Sequence, residues 1–510
     1  MQKKNRLLYL LALLKFILPF LLQNGIYEPH RDEFLYLAEG SHMDWGYMEV
    51  PPLLSVFSWV THLLGDGMFW IKFWPSLFGA FTYILAGKII LSLGGKSFAL
   101  LLAAIAFIFG YMRTHFLFQG NFLEIFFYTL ISYGLIRYIQ TDKNKWLYVC
   151  SLGAGLGMLS KYSIGFFIVS VLIGLALTKQ RKIFLNKHIY YAGLLTAVIF
   201  LPNLIWQASH HFPVAHHMKE LQEKQLQYVN PWNFLLDQLL MFLSCFYIWL
   251  SGLLFVGATK RGRDYLFFCW TYIFLIILLL AFRGKSYYPQ AIYATLFAFG
   301  SYRLEALTVG RFKKVRYVFI IISLGIGLFT TPISLPIFSP QKLADYYKKM
   351  NLGKSGVLKW EDQKNHLLPM DFADMLGWKE MTQKTAIAYQ HLDSIEKRHC
   401  ILFCDNYGEA GAVNYYGKNY KLPEALSDDA SFLYWIPDSL QIDNMILVTD
   451  DKEEMQHSFI RNFTSAVVAD SITYPYAREK GSLIIVFKGA NQVFNQLFRN
   501  KLEKDRAALR

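Results

Sequence analysis

Two adjacent carboxylates, Asp32 and Glu33, sit in the stretch Tyr27-Glu28-Pro29-His30-Arg31-Asp32-Glu33-Phe34-Leu35-Tyr36, directly after the first long apolar run of the chain. Charges at a membrane boundary are expensive and usually functional. Neighbouring side chains need not share a face, so one acid is expected to point at a substrate while the other holds the loop. A carboxylate facing an acceptor hydroxyl or amine at such a low-dielectric boundary can act as general base for nucleophilic attack. The plainer alternative is that the pair caps a surface helix beginning near Glu33, because Asp is a good N-cap. The same loop runs on through His42, Asp44, Trp45, Tyr47 and Glu49 to Pro51-Pro52, so acids, a histidine and aromatic rings are concentrated between two membrane segments.

Other polar groups stand within or beside apolar runs. Glu124 lies near one end of such a run, where a carboxylate needs a function or a partner. Lys161 stands between two runs, and Arg283-Gly284-Lys285-Ser286-Tyr287-Tyr288 precedes a late one. A later loop carries His210, His211, His216 and His217, whose spacing permits a metal site or solvated, substrate-contacting imidazoles. Leu201-Pro202-Asn203-Leu204-Ile205-Trp206-Gln207, just before it, offers groups suited to stacking and hydrogen-bonding a sugar, or to an interfacial aromatic belt. The five cysteines have no metal-type spacing, and no Gly-rich phosphate loop is present to support nucleotide binding.

The elements that must position these groups follow from composition. Of 510 residues, 54% are hydrophobic and 17% aromatic, and repeated apolar runs are long enough to cross a bilayer core of about 30 Å. Arg6 to Leu22 reads as a retained membrane helix, not a removed signal peptide. The formal charge of +14 calls for a membrane explanation before a nucleic-acid one, because the basic residues cluster in alternate short loops. Putting those loops in the cytoplasm by the positive-inside rule predicts about eleven spans. They fall at roughly 7–23, 69–91, 97–113, 121–139, 145–160, 162–178, 188–206, 235–257, 264–282, 287–302 and 317–336. The N-terminus is then cytoplasmic, and the loops 24–68 and 207–234 lie outside with everything after about 337. Ser55 to Leu64 is too short to span and is expected as a re-entrant or surface helix. Lys161, Arg283 and Lys285 fall on the outer face, against the charge rule, which implies an anionic partner. A lipid phosphate at the bilayer surface is the obvious candidate, and snorkelling to ordinary headgroups the alternative.

After Pro336 the composition turns soluble. Strand-length runs at 385–389, 401–404, 445–448 and 483–487 predict a small α/β domain with a largely parallel sheet. Two runs exit into acids, Asp405 and Asp450-Asp451, where α/β folds place ligands or simply cap the next helix. Cys400 and Cys404 on one strand would be about 13 Å apart, too far for a disulfide. The tail, with Arg499, Lys501, Lys504, Arg506 and Arg510, reads as a solvated basic helix. The chain thus divides into a membrane domain (1–338) with outer loops 24–68 and 207–234, a soluble α/β domain (339–490) and a basic tail (491–510).

The combination of loop motifs resembles the GT-C superfamily of membrane glycosyltransferases, in the branch of the lipid A aminoarabinose transferases and protein O-mannosyltransferases. Asp32, Glu33 and Tyr36 are similar to the family's first-loop Asp-Glu-x-x-Tyr motif, whose Asp is its candidate base. Met48-Glu49-Val50-Pro51-Pro52-Leu53 is similar to its Glu-Lys-Pro-Pro segment, with Val50 where the aminoarabinose transferases carry a phosphate-binding lysine. Gly157-Met158-Leu159-Ser160-Lys161-Tyr162 resembles a Gly-x-x-x-x-Lys element with one residue fewer between Gly and Lys, and Lys285-Ser286-Tyr287-Tyr288 a Lys-x-Tyr-Tyr element. The family carries an Asp near Glu124, and some relatives pair the loop-one Glu, here Glu49, with a histidine of the region of His210 and His211 around a divalent metal.

The resemblance implies a GT-C helical membrane domain and a polyprenyl-phosphate-linked sugar as donor. The expected reaction is an inverting transfer to an extracytoplasmic lipid, glycan or protein acceptor. Asp32, Glu33 and Glu124 would serve catalysis, and Tyr36, Glu49, Lys161, Arg283, Lys285, Tyr287 and Tyr288 substrate and phosphate binding. The leaving phosphate carries its own stabilised charge, so no cofactor is compulsory, and the enzyme is expected in the cell membrane. A transporter or flippase is the alternative; it is less favoured because polar groups gather at one face rather than near the midplane.

Overall fold

A computed structural model describes residues 2–224 and 226–508. Helices occupy all eleven stretches predicted to span. Five are both long and apolar enough to cross a bilayer: Lys4–Leu22, Met68–Ser92, Asn121–Thr141, Lys187–Ser209 and Gly310–Ser334. Ile164–Ala176 with Lys179–Leu185, bent by 106°, would make a sixth. The chain is a multi-pass membrane protein, but several predicted spans are shorter or broken. Ser97–Gly110, Phe246–Ala258 and Phe267–Ala281 have 14, 13 and 15 residues, about 20 Å each at 1.5 Å per residue. The span expected at 235–257 is split into Pro231–Leu240 and Phe246–Ala258. Lys187–Ser209 turns Leu194, Val198, Leu201 and Ile205 outward, the pattern of a lipid-facing helix. Where helices meet, small residues allow close approach: a Cβ on Gly300 would collide with the Ile248 carbonyl, and one on Gly252 with that of Leu296. The predicted short helix after the double proline is Leu53–Leu63.

The C-terminal part carries five strands, β1 (Cys400–Cys404), β2 (Ala425–Leu426), β3 (Asn444–Thr449), β4 (Ser465–Ser471) and β5 (Leu483–Lys488), in the order β2-β1-β3-β5-β4. Alternation along β1 sends Leu402 and Cys404 to one face, against Trp378 and Met381, and Ile401 and Phe403 to the other, against Phe494 and Leu502. Helices therefore cover both faces. The sheet is mixed rather than largely parallel: β1 runs parallel to β2 and β3, while β5 is antiparallel to β3 and β4. β4 is a mostly exposed edge strand, which is why no continuous apolar run announced it. The stretch 385–389, expected as a strand, lies inside the helix Trp378–Gln390. Its buried residues Trp378, Met381, Thr385 and Ala388 recur at helical spacing, a period that a five-residue window hides. The basic tail is helical over Gln492–Ala508, but it docks Phe494 and Leu502 on the sheet; Arg510 lies outside the described residues. Cys400 and Cys404 are free thiols at opposite ends of β1.

The two parts are joined through the first loop. Phe34, Leu35 and Ala38 belong to the same apolar cluster as Trp378, Leu402 and Ile446, whereas Leu37 packs into the membrane core. Glu28 accepts hydrogen bonds from the backbone N–H of Gly377 (3.2 Å) and Lys379 (2.8 Å), so it caps the helix Trp378–Gln390 from across the domain boundary.

Candidate active site

The helix Arg31–Ser41 carries the adjacent acids, and its start is a capping box built on His30: His30 Nδ1 accepts from the Asp32 N–H (3.1 Å), and Glu33 Oε2 accepts from the His30 N–H (2.7 Å). The N-cap is His30, not Asp32. Glu33 is fully buried, and its carboxylate takes Lys72 Nζ at 2.6 and 2.7 Å and the Phe118 N–H at 2.6 Å. Both Glu33 oxygens are engaged and none of its surface is exposed, so it braces the start of this helix, as expected of the acid that holds the loop. Removing either member of such a buried pair strands the other charge.

Asp32 projects from a different face and keeps a third of its side chain exposed. Its Oδ1 accepts from the Tyr407 hydroxyl (2.8 Å) and its Oδ2 from Gln119 Nε2 (3.1 Å). Burial pushes its pKa up, but His30, the Tyr407 hydrogen bond, Arg31 and Lys285 outweigh that and hold it below the ordinary aspartate value. It is thus ionised at neutral pH. Tyr36 lies one turn further along the same face, within electrostatic reach of Asp32, Glu39, Tyr407 and Glu49.

Lys161 and Glu124 are brought together. Lys161 Nζ donates to Glu124 Oε2 (2.9 Å) and to Asn121 Oδ1 (2.5 Å), and Ser163 Oγ donates to Glu124 Oε1 (2.5 Å). The Lys161 ammonium also lies 5.0 Å from the Tyr288 ring centre and 5.5 Å from that of Tyr287. The Glu124 side chain is fully buried, the Lys161 side chain 20% exposed, so the ammonium is the member of the pair open to a ligand. Lys285 feels Glu361 and Asp32 as attractive and Lys161 as repulsive neighbours, on top of the burial that lowers its pKa. It therefore links the Asp32 group to the Lys161 group. Arg283, expected in the same cluster, is exposed at a left-handed backbone position (φ 52°), and its side chain makes no hydrogen bond or ion pair among the described residues.

Glu49 gives Oε2 to the Ser431 hydroxyl (2.7 Å), and Ser431 Oγ in turn accepts from the Met48 N–H (3.0 Å), so this Glu ties the first loop to the C-terminal domain. Its other oxygen and both oxygens of the fully buried Glu39 lack hydrogen-bond partners. Burial, then Glu49, pushes Glu39 well above the usual carboxylate value, and burial pushes Glu49 up to about 7. His210 stacks on Trp206 and uses Nδ1 on the Trp206 carbonyl (2.9 Å). Glu49, His210 and His211 do not form a three-ligand group: among the described residues such a group is Asp451, Glu454 and His457, on the surface of the C-terminal domain. Asn203 and Gln207, candidates for sugar contact, donate instead to the carbonyls of Trp45 (2.8 Å) and Tyr47 (3.2 Å) and hold the first loop down.

Sequence reasoning missed Tyr407, Gln119, Lys72, Glu39 and Arg113. Arg113 pairs with Asp371 and lies in electrostatic reach of Asp32 and Tyr287. A signal existed for two of them: Arg113 is a basic residue at an outer span end, flagged by the same charge rule as Lys161, and Glu39 falls two turns after Asp32 on one helical face. Tyr407 and Gln119 carry no such mark.

Residues 49–206 match the family described as dolichyl-phosphate-mannose-protein mannosyltransferase, a stretch that includes Glu124 and Lys161 but begins after Asp32. The lipid A galacturonosyltransferase RgtD of Rhizobium johnstonii is 24% identical over 200 residues, which is 37% of this chain and 41% of the relative; the alignment spans less than half of either protein. The crystal structure of ArnT from Cupriavidus metallidurans in the apo state superposes with a TM-score of 0.60 at 13% identity, covering 94% of this chain and 97% of that one. The fold is therefore ArnT-like over nearly its whole length. The resemblance to GT-C membrane glycosyltransferases that the loop motifs carry is borne out.

Proposed function

We propose that the chain is a glycosyltransferase that moves a sugar from a polyprenyl-phosphate-linked donor to an extracytoplasmic acceptor, a lipid, glycan or protein. The observation that carries this reading is an ionised, one-third-exposed Asp32 in electrostatic reach of Lys285, which is itself in reach of Lys161, at one end of the helical body. The donor phosphate meets the Lys161 ammonium and Lys285, with Tyr287 and Tyr288 walling the sugar side. The acceptor nucleophile comes up to Asp32. As its oxygen or nitrogen forms a bond to the anomeric carbon, the carbon–oxygen bond to phosphate breaks. The proton passes to an Asp32 oxygen, and the electron pair leaves on polyprenyl phosphate, whose added charge the lysines stabilise. With the acceptor attacking from the Asp32 side and the phosphate leaving on the lysine side, a single displacement inverts the configuration of the anomeric carbon. Glu33, through Lys72 and the Phe118 N–H, fixes the helix that aims Asp32.

The named activity of the matched relative, transfer of galacturonosyl to lipid A, favours a lipid-borne acceptor over a soluble one. By the distribution of basic loops, the site faces the outside of the cell membrane. A transporter reading is weaker, because the charged groups gather at one end of the helices rather than at mid-depth. Incubating the purified chain with a panel of polyprenyl-phosphate sugars and an acceptor membrane extract, and measuring polyprenyl phosphate release, tests the proposal. Absence of release and of donor binding with every member of the panel would overturn it.

A further inference from the structure

At the opposite end of the helical body is a recess of about 380 Å³, within the size range of small-ligand sites. Its position is set by two long helices: Arg137 is 13 residues beyond Glu124 on one, and Ser92 is 20 beyond Lys72 on the other. That places it about 20–30 Å from the Asp32 site, near the thickness of a bilayer core.

Two guanidiniums line it, Arg137 and Arg261. Both are held in place. Arg137 Nη1 donates to Gln140 Oε1 (2.9 Å), and Gln140 Nε2 donates to Tyr265 Oη (2.9 Å) and Ser92 Oγ (3.1 Å). Arg261 donates to the Leu93 carbonyl (2.8 Å) and lies 5.2 Å over the Tyr302 ring, as Arg137 lies 5.5 Å from that of Trp146. The Arg137 Nε is buried and has no partner. Each guanidinium carries five donors, and one on each has an acceptor among the described residues. Both guanidiniums are in electrostatic range of the Tyr265 hydroxyl, so they share one space. The one acid in the lining, Asp264, is paired with Lys179. Two helix C-termini also end here, and their carbonyls oppose an anion. One donor of Arg261 answers that field at Leu93, and the remaining forks leave a net excess of positive charge.

We propose that this recess binds a phosphate-bearing anion, through the unused donors of Arg137 and Arg261 with Gln140 and Tyr265 as fixed orienting groups. Planar forks stacked on aromatic rings suit the tetrahedral oxygens of a phosphate. The source is either the headgroup of an anionic phospholipid in the leaflet at this end or a soluble phosphate. The site is separate from donor binding at Lys161 and does not rest on the transferase reading.

The test uses the full chain in phosphatidylcholine nanodiscs with and without phosphatidylglycerol, read by native mass spectrometry, and in detergent with inorganic phosphate against chloride at equal ionic strength, read by thermal unfolding. The wild type is expected to retain one phosphatidylglycerol, or to be stabilised by phosphate over chloride; the first outcome assigns a lipid source and the second a soluble one. Arg137→Gln with Arg261→Gln should weaken that binding about tenfold or more. Lys182→Gln with Arg263→Gln, the same charge change at exposed residues outside the lining, should leave it within about twofold. If the Gln pair does not fold, Arg137→Lys keeps the charge and removes the fork, and should still weaken binding several-fold. Equal loss in both double variants, an unaffected Arg137→Lys protein, or a wild type indifferent to both anions would overturn the proposal.

Discussion

Replacing Lys161 by Met separates its pairing with Glu124, seen in the structure, from its proposed contact with the donor phosphate. The Met side chain keeps an apolar stem of similar length, so little packing is lost. What is lost is the partner of a fully buried carboxylate: Glu124 keeps only the Ser163 hydroxyl once the 2.9 Å contact to Lys161 is gone. Breaking a buried pair on one side costs about 3–5 kcal/mol. Because the Lys161 side chain is 20% exposed, the lower end, about 3 kcal/mol, is expected. If the ammonium also holds the donor phosphate, donor binding should weaken by about 1.5–3 kcal/mol, roughly 10- to 150-fold. Combining Lys161→Met with Glu124→Gln divides the two effects. The amide removes the stranded charge while still accepting from Ser163, so most of the lost stability should return, but donor affinity should stay low. Chemical unfolding in detergent and donor binding by calorimetry measure the two quantities on the same samples. Recovery of wild-type donor affinity in the double variant would refute a direct phosphate contact and reduce Lys161 to a counter-ion for Glu124. A single variant that loses less than about 1 kcal/mol would refute the energetic reading of the pair.

Four further outcomes are expected. Asp32→Asn should lower turnover at least about 100-fold with folding and donor binding kept, because the amide oxygen still accepts from Tyr407 but takes no proton; turnover above about a tenth of wild type removes Asp32 as the base. Tyr407→Phe deletes a hydrogen bond that holds the Asp32 pKa down, so the acid limb of the kcat/KM profile should move to higher pH while turnover at neutral pH changes only a few-fold; an unmoved limb would show that this contact is absent from the working enzyme. Burial first, with Glu454, Asp450 and Asp428 adding to it, raises Asp405 from 3.8 to about 6. Its contribution to stability is therefore full below pH 3.8 and is lost as pH rises to about 6, by at most about 3 kcal/mol; Asp405→Asn should flatten that part of the unfolding curve, and an unchanged slope would exclude it. The proposed placement of the C-terminal domain outside the cell predicts that a Cys at exposed Ser458 reacts with an impermeant thiol reagent on intact cells and one at exposed Lys182 does not; the reverse pattern would invert the topology.

The helical body was legible in the sequence because a lipid-facing or core helix writes its apolar character into consecutive residues. All eleven stretches became helices, and only their continuity was misjudged, as at 241–245, where the chain turns within a predicted span. The location of the active-site candidates was legible for a related reason: a carboxylate or an ammonium at a membrane boundary is costly enough to stand out without knowledge of its neighbours. Division of labour between those groups was not. Asp32 and Glu33 look equivalent in sequence. Packing turns one into a buried brace on Lys72, 39 residues away, and leaves the other partly exposed beside a tyrosine 375 residues away. The same holds for Trp378–Gln390, whose helical period competes with a strand-like run until Glu28 and Phe34 from the first loop cap and cover it. Local period and charge cost are properties of neighbouring residues and can be read along the chain. Pairing between groups far apart in sequence depends on which faces the core buries against each other, and only the tertiary structure decides that.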